Sequence, residues 1–288
     1  MEATLQPHDL ADALAGRAEH PGVLPIAGGT DLMVELNFDR RRPARMMDLN
    51  RVRELDDWHR DGGELVIGAG VTCTRLVEEL AAAAPGLAIA ARTVGSPQIR
   101  NRGTVGGNLA TSSPAGDLLP PLVAGGAQVE VASAQGSRSV PLDGFCTGPK
   151  RNVLGDDELI TAVRVPAARG PQQFAKVGPR NAMVIAVCSF AIALDPEARA
   201  VGTAIGSAAP TVLRAGEAEA FLRGVLDEGD RWESRAPLSD SELARFGELV
   251  GAAARPIDDV RGSAAYRRHA LAVLGRRTLG WCWEEYRA

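Results

Sequence analysis

Two glycine-rich segments constrain this chain more than any other feature: AGGTDL over residues 27–32 and GTVGGN over residues 103–108. Each follows an apolar stretch and contains adjacent glycines, so each can bring a row of backbone N–H groups against a phosphate with no side chain in the way. For one glycine pair alone, a tight strand-to-helix turn without a ligand explains the pattern equally well. Two such loops suit the diphosphate of a dinucleotide held from both sides.

The second segment continues as a long run of small and polar residues, GTVGGNLATSSPAGDLLPP over residues 103–121. A polar segment of this kind is costly to bury unless a partner satisfies it, so we expect a ligand to use it. Asp117 can accept hydrogen bonds from ligand hydroxyls or from an N–H edge. Taken by itself, this residue also fits a helix N-cap.

Composition excludes several classes of protein. The net charge of −4 and the pI near 5.7 argue against a nucleic-acid binder, which normally has a basic face. The four cysteines lie far apart without a C-x-x-C pair and the four histidines are scattered, so we expect no metal or iron–sulfur site in this chain. Such isolated thiols suit a reducing cytoplasm.

The sequence also argues against a secreted or membrane-spanning protein. The first ten residues lack the basic and apolar regions of a secretory signal. The apolar, uncharged run at residues 182–194 is too short to span a bilayer and predicts a buried strand. We therefore expect a soluble cytoplasmic protein, long enough at 288 residues to bury a sizeable core and to divide into two domains.

Strands and helices alternate in the first part of the chain. Thr72 can cap a helix over residues 72–84, and Pro85-Gly86 is expected to stop it. The remaining predicted elements before residue 133 are strands at 24–26, 45–49, 64–68 and 128–132, and helical segments at 31–37, 87–94 and 117–124.

A segment of linker composition, residues 166–171, separates this part from the rest. Beyond it, strands are predicted at 173–176, 184–194 and 201–208, in one antiparallel sheet, and helices at 217–226, 239–254 and 264–286. Ser239 with Glu242 forms a capping-box pattern. The predicted fold class is α+β: a domain over residues 1–167 in two lobes, about 1–57 and 58–167, then a smaller sheet-plus-helices domain over residues 172–288.

One further segment resembles a dinucleotide-binding motif but departs from it. The segment GAGVTC over residues 68–73 follows a strand and mimics G-x-G-x-x-G, but Cys73 replaces the third glycine. No acidic residue is evident about 20 residues further on, so a nicotinamide-type Rossmann domain is not supported.

Four ordered motifs carry a family resemblance: AGGTDLMVELN, GSPQIRNRGTVGGNLATSSPAGDLLPPLVAGGAQVEV, KVGPRNAMVIAVCSFAIAL and PIDDVRGSAAYRRHALAVLGRR. Together they span residues 27–277, and the chain closely resembles the FAD-binding (medium) subunit of the molybdenum hydroxylases, the family of xanthine dehydrogenase and carbon monoxide dehydrogenase. The resemblance implies an FAD domain of the vanillyl-alcohol oxidase type, followed by the family's antiparallel-sheet-plus-helices C-terminal domain.

The resemblance also implies a set of FAD-binding residues. Asp117 would bond the ribityl chain, Ile160 would contact the adenine or dimethylbenzene portion, and Lys176 would sit near the flavin, where positive charge favours the reduced ring. The other residues implied, most of them around the diphosphate, are Ala27, Gly28, Gly29, Thr30, Asp31, Leu32, Gly103, Thr104, Val105, Gly106, Gly107, Asn108 and Ser113. FAD would be non-covalent, and no side chain is assigned as a general acid or base.

The function implied is electron transfer within a heteromeric enzyme, most like xanthine dehydrogenase. A molybdopterin-binding large subunit and a small subunit with [2Fe–2S] clusters would be partners, and NAD⁺ or another acceptor would receive the electrons. Met183-Val184 stands where many relatives have a polar or acidic residue, which leaves the acceptor open. The alternatives are the medium subunit of a carbon monoxide, aldehyde or N-heterocycle dehydrogenase, a stand-alone FAD oxidoreductase, and an assembly module without flavin.

Overall fold

The computed structural model describes residues 3–288, so the first two residues of the predicted N-terminal domain lie outside the described residues. The first lobe begins with a helix that the sequence did not predict, capped by the Asp9 side chain, which accepts from the Asp12 N–H at 2.8 Å. Strands β1 (Leu24–Ile26) and β2 (Met46–Asp48) pair directly in parallel, and the short helix α2 lies between them in the chain. The elements of this lobe are α1 (Leu10–Glu19), β1 (Leu24–Ile26), α2 (Leu32–Asn37) and β2 (Met46–Asp48).

The second lobe is built on a five-stranded antiparallel sheet in the order β3-β4-β9-β5-β6. Strand β4 and the long strand β9 lie at its centre, where alternate or continuous apolar residues are buried. The elements are β3 (Trp58–Asp61), β4 (Glu64–Gly68), α3 (Cys73–Glu79), α4 (Pro85–Arg92), α5 (Pro97–Arg100), α6 (Val105–Thr111), α7 (Leu119–Ala124), β5 (Gln128–Ser133), β6 (Gly136–Pro141), α8 (Leu142–Phe145), β7 (Cys146–Gly148), β8 (Arg151–Asn152) and β9 (Leu159–Pro166).

The predicted helix over residues 72–84 is wrong at its C-terminal end. Thr72 is the N-cap as expected, its side chain accepting from the Arg75 N–H, but α3 ends at Glu79. Pro85 does not stop this helix; it begins the next one, in the first turn of α4, where its missing N–H costs nothing. The alanine run between the two helices forms the turn that connects them.

The C-terminal part folds as a three-stranded antiparallel sheet in the order β10-β11-β12, covered by helices. The predicted capping box is present: Glu242 N–H donates to Ser239 Oγ, and Ser239 N–H to the Glu242 side chain. The elements are β10 (Gln172–Val177), β11 (Cys188–Asp195), β12 (Ala200–Gly206), α9 (Gly216–Glu228), α10 (Arg231–Ser234), α11 (Asp240–Ala253) and α12 (Ala264–Arg287).

The strand predicted over residues 184–194 begins four residues late, at Cys188. Met183 has a positive φ of 50°, which breaks the extended backbone before the strand. The carbonyls of Met183 and Val184 accept hydrogen bonds from the Arg180 and Lys176 side chains rather than from a neighbouring strand. Residues 182–187 are therefore a loop, which we call the 182–187 segment.

The C-terminal sheet packs directly on the second lobe. One hydrophobic core lies mainly in the first 165 residues but includes Phe174, Ala191 and Ala204 of the three-stranded sheet. A second core joins the opposite face of that sheet to α9, α11 and α12. A β-carbon on Gly202 would lie 2.0 Å from the Ala124 carbonyl oxygen, so β12 and the end of α7 are in backbone contact.

Candidate functional site

The two glycine-rich segments lie against each other. The first leaves β1 and leads into α2, and Gly29 within it has a φ of +74°, a conformation that favours glycine. A β-carbon on Gly28 would meet the Arg102 carbonyl oxygen at 1.8 Å, so only glycine allows the two segments to approach this closely. Arg102 Nη2 and Asn50 Nδ2 both donate to the Ala27 carbonyl and fix the first segment from the other side.

The first segment presents free backbone donors. Within residues 3–288, the N–H groups of residues 28–32 donate no hydrogen bond to the protein. All five residues line the large cavity described below. A continuous row of unpaired N–H groups on a surface without bulky side chains is suited to an anion such as a diphosphate.

The second segment differs from the sequence-based expectation. Four of its N–H groups already donate hydrogen bonds within the protein: Gly103 to Ile99 O, Val105 to Val71 O, Gly106 to Ala69 O and Gly107 to Thr104 Oγ1. The prediction of a second row of free donors is therefore wrong. This segment is the capped start of α6, and its glycines allow close packing: a β-carbon on Gly106 would lie 2.6 Å from that of Ala69.

A single cavity of about 1380 Å³ brings most of the predicted site residues together. It exceeds the usual range for small-ligand pockets, roughly 300–1000 Å³, and is large enough for a dinucleotide. The predicted residues that line it are Ala27, Gly28, Gly29, Thr30, Asp31, Leu32, Gly103, Thr104, Gly106, Gly107, Asn108, Ser113, Asp117 and Ile160.

Two predicted residues do not line this cavity. Val105 is fully buried in the hydrophobic core, and its N–H donates to the Val71 carbonyl. Its side chain therefore contributes to core packing. Lys176 is absent from the cavity wall itself, but its Nζ donates to two residues that line it, to Asp117 Oδ2 at 2.6 Å and to the Val184 carbonyl at 3.2 Å. The assignment of these two residues to FAD binding stays a prediction.

Asp117 is the most buried acidic group of the cavity wall. Its side chain is 10% exposed and pairs with the Lys176 ammonium, itself 9% exposed. Burial raises the pKa of Asp117 to about 6, and the attraction of Lys176 opposes this rise without cancelling it. The second carboxylate oxygen, Oδ1, is buried without a partner among the described residues.

Asn108 provides a second unsatisfied acceptor. Its Oδ1 is buried and unpartnered, and like Asp117 it lines the cavity. Buried polar atoms without partners are rare in native structures, so a ligand with hydroxyl or N–H donors is expected there. The cavity thus offers donors at residues 28–32 and acceptors at Asn108 and Asp117, which fits the diphosphate and the polyhydroxyl chain of FAD.

Charged side chains flank the cavity on a different side. Glu35 of α2 forms ion pairs with Lys150 and, at 3.7 Å, with Arg41, and all three residues line the cavity. The hydrogen bond from Lys150 holds the pKa of Glu35 below its usual value. The pair with Lys150 links α2 to the turn between β7 and β8.

Several cavity residues were not predicted. Arg17 of α1 donates to the Val23 carbonyl at 2.5 Å, is 8% exposed, and carries an unpartnered Nε. A lone arginine in an amphipathic helix gives no sequence signal for such a role. Other cavity residues without an assigned role are Glu35, Thr72, Cys73, Val94, Gly95, Ser96, Thr147, Lys150, Arg151, Asn152 and Ile185.

Neither a metal site nor a membrane span is found in the described chain. Over residues 3–288, no three His, Cys, Asp or Glu side chains are grouped so that they could hold a metal ion. None of the helices in that range combines the length and the apolar character needed to cross a bilayer.

The chain belongs to a known protein family. A family model described as the FAD binding domain in molybdopterin dehydrogenase matches residues 1–168, more than half of the chain. A second, the carbon monoxide dehydrogenase flavoprotein C-terminal domain, matches residues 173–282. The fold and the cavity thus define an oxidoreductase component of the α+β flavoprotein class. In particular, the chain is an FAD-binding medium subunit of the molybdenum hydroxylase family.

Relatives with different substrates in their names are similarly distant. The putative xanthine dehydrogenase FAD-binding subunit of Escherichia coli is 31% identical over 281 residues, covering 94% of this chain and 92% of that protein. The nicotine 6-hydroxylase medium subunit of Paenarthrobacter nicotinovorans is 32% identical, covering 88% and 87%.

Solved structures share the whole architecture. Carbon monoxide dehydrogenase from Hydrogenophaga pseudoflava contains a chain that matches with a TM-score of 0.88 and 28% identity, covering 98% of this chain and 97% of that one. Quinoline 2-oxidoreductase from Pseudomonas putida 86 matches with a TM-score of 0.90 and 25% identity, covering 100% and 99%.

Proposed function

We propose that this chain holds FAD non-covalently in the cavity between the glycine-rich segments and acts as an electron-transfer subunit. The observation that carries the proposal is the row of unpaired N–H groups at residues 28–32, which is held against the second segment by the contact of Gly28 with Arg102. Backbone donors of this kind suit a diphosphate, and the cavity on both sides leaves room for two further groups.

The residue roles follow from what each group offers. The N–H groups of residues 28–32 donate to the diphosphate, and the unpaired oxygens of Asn108 and Asp117 accept from ribityl hydroxyls. Gly106 and Gly107 keep the wall between them free of side chains. Ile160, which is 7% exposed, packs against a ring at one end of the cavity.

The protein supplies binding and orientation, not acid–base chemistry. Bound FAD would take electrons from an iron–sulfur partner and pass them to an acceptor, which is chemistry of the cofactor itself. The described cavity wall contains no histidine, and Asp117 is committed to Lys176. This arrangement favours an electron-transfer subunit over a stand-alone oxidase, which would need a proton donor or base at the flavin.

We propose a xanthine dehydrogenase-like complex, with a molybdopterin-binding large subunit, a [2Fe–2S] small subunit, and NAD⁺ or another acceptor. The identity to the Escherichia coli xanthine dehydrogenase subunit over 94% of the chain supports this choice. The comparable identity to the nicotine 6-hydroxylase subunit favours an N-heterocycle dehydrogenase as the second candidate. Co-purification of the native complex and assay with xanthine and with N-heterocycles would separate the two.

Domain limits and cellular location belong to the same proposal. We place the FAD domain at residues 1–167, with lobes of about 1–57 and 58–167, and the C-terminal domain at residues 172–288. The four cysteines are free thiols, three of them buried, which supports a reducing cytoplasm as the location.

The purified chain tests the proposal directly. It should be yellow, should show flavin absorbance bands, and should release FAD on acid treatment at about one FAD per chain. A folded, colourless protein that remains colourless after incubation with excess FAD would contradict the proposal.

A further inference from the structure

Lys176 connects the C-terminal sheet to the wall of the cavity. It lies on β10, its side chain is 9% exposed, and its ammonium points away from its own sheet toward the second lobe. Nζ donates to the Thr93 carbonyl at 2.9 Å, to Asp117 Oδ2 at 2.6 Å and to the Val184 carbonyl at 3.2 Å. An ammonium has three N–H donors, and all three are used.

The three acceptors belong to three separate segments of the cavity wall. Thr93 caps α4 and precedes Val94, Gly95 and Ser96. Asp117 precedes α7, and Val184 lies in the 182–187 segment, whose residues Met183, Val184 and Ile185 also line the cavity. One buried cation therefore holds three wall segments that are distant in sequence.

The residue type supports this function. Lys150 and Lys176 are the only lysines among 32 lysine and arginine residues in the sequence. A compact ammonium directs three donors toward three converging acceptors, whereas the planar fork of arginine is suited to one planar partner. In a chain whose basic residues are nearly all arginines, the residue at the point where three acceptors converge is therefore the type suited to that geometry.

The pairing also sets the orientation of Asp117. Because Lys176 occupies Oδ2, the other oxygen, Oδ1, is left buried and without a protein partner. Lys176 itself does not line the cavity, and its contacts with the cavity wall are the three hydrogen bonds of its ammonium.

We propose that Lys176 is a positioning residue, which keeps three walls of the cavity in register and turns one oxygen of Asp117 toward the ligand. The ligand part of this inference rests on the proposed FAD function, whereas the effect on the walls does not. The competing explanation is simple charge compensation, in which Lys176 only neutralises a buried carboxylate. In that case the Thr93 and Val184 contacts would be incidental.

A double variant and the single variant Asp117→Asn separate these explanations. Lys176→Met removes the ammonium but leaves Asp117 buried and unpaired, which destabilises the fold in either case. The double variant Lys176→Met/Asp117→Asn removes both charges and so removes that penalty. Asp117→Asn alone keeps the ammonium with its Thr93 and Val184 contacts. Gln173→Met, which removes a side-chain bond to Glu285 from the same strand, is the matched control.

Hydrogen exchange on the FAD-free chain tests the wall-holding function. The amides to follow are Val94, which donates to Ala91 O, and Val187, which donates to Val177 O. We expect exchange at both amides to be faster by about tenfold in the double variant, because each lost hydrogen bond weakens local closure. Asp117→Asn and Gln173→Met should leave both rates within about twofold of wild type.

FAD titration of wild type, the double variant, Asp117→Asn and Gln173→Met tests the effect on ligand binding. In the double variant we expect a Kd raised by about tenfold or more and a changed visible circular dichroism band, with a smaller rise in Asp117→Asn. The inference would be overturned if the double variant showed wild-type exchange rates and the same FAD Kd as Asp117→Asn. Failure of wild type to bind FAD would contradict the proposed function, and the exchange rates would still decide whether Lys176 holds the walls.

Discussion

Gly28 lies so close to the Arg102 carbonyl that a β-carbon on Gly28 would sit 1.8 Å from the carbonyl oxygen. The contact joins two segments that are about 75 residues apart in the chain, as shown by the Arg102 hydrogen bond to Ala27. It places the free N–H groups of residues 28–32 beside the side-chain-poor start of α6. Gly28 and Arg102 both line the cavity.

Gly28→Ala should therefore separate the two segments. No rotamer change relieves a clash between a β-carbon and a backbone oxygen, so we expect a loss of stability of about 2–4 kcal/mol and a weakening of FAD binding by at least about tenfold. Gly224→Ala is the control, because nothing lies within 4 Å of a β-carbon on this helical glycine. That variant should be unchanged or more stable by about 0.5–1 kcal/mol. Denaturant unfolding and FAD titration measure both effects, and equal behaviour of the two variants would refute the steric explanation.

Gly107 and Asp117 should differ in their importance for the cofactor. Gly107→Val places a branched side chain at the cavity wall, where it would clash with bound FAD. Water cannot relieve a steric clash, so we expect FAD affinity to fall by about a hundredfold. Asp117→Ala removes one acceptor and leaves room for water, so a loss of about tenfold is expected. Flavin content after gel filtration ranks the two variants. Retention of wild-type flavin by both would count against the residue assignment.

The pH dependence of stability should report the burial of Asp117. Its pKa is raised to about 6 from 3.8, so the folded chain binds this proton more tightly than the unfolded chain does. The stability contribution of this group is therefore complete below pH 4 and is lost as pH rises through 6.

Relative to wild type, Asp117→Asn should gain stability between pH 4 and 6, by about 3 kcal/mol in all, and then level off. Lys176 pairs with Asp117, and burial, together with the nearby Asp117 carboxylate, raises the pKa of the Cys73 thiol to about 12. The Cys73 thiol therefore stays neutral over this pH range. Chemical denaturation of both proteins at several pH values measures the difference, and a flat difference from pH 4 to 7 would contradict the raised pKa.

Arg267 should be a large contributor to the stability of the C-terminal part. It is 4% exposed, donates to the Val187 carbonyl at 2.9 Å and to the Ser207 carbonyl at 2.6 Å, and pairs with Asp259 at 2.5 Å. Arg267→Met leaves both carbonyls without this donor, so we expect a loss of about 3 kcal/mol.

Arg245 offers a matched control on α11. Its side chain is 57% exposed and pairs only with Glu248 three residues away, so Arg245→Met should change stability by about 0.5 kcal/mol or less. Thermal and denaturant unfolding compare the two variants. Similar small losses in both would mean that Arg267 does not hold the 182–187 segment to the rest of the fold.

The sequence was most informative where local chemistry decides the structure. The caps at Thr72 and Ser239 and the antiparallel sheet of the C-terminal part agree with the predictions, because hydroxyl caps and apolar runs act over a few residues. Pro85 was misinterpreted because proline both ends one helix and begins another. The edge strands β3 and β6 were missed because they are short and exposed and have no apolar pattern.

Most of the predicted site residues line one cavity, but their contacts with each other were not predictable. The glycine pairs indicated which segments form that cavity, yet the sequence does not say that the second segment uses its own N–H groups within the protein. The Lys176 contacts with Thr93 and Asp117 depend on how the C-terminal sheet docks on the second lobe. Those of Arg267 depend on how α12 packs against loops of the C-terminal part. Long-range packing of this kind leaves no local signal.

The most direct test of the central claim is a crystal structure of the chain with FAD bound. We predict that the diphosphate oxygens lie within hydrogen-bonding distance, roughly 2.7–3.2 Å, of backbone nitrogens among residues 28–32. The same structure should show ribityl hydroxyls within reach of Asp117 Oδ1. Density for FAD outside this cavity, or a diphosphate that contacts none of those nitrogens, would contradict the claim.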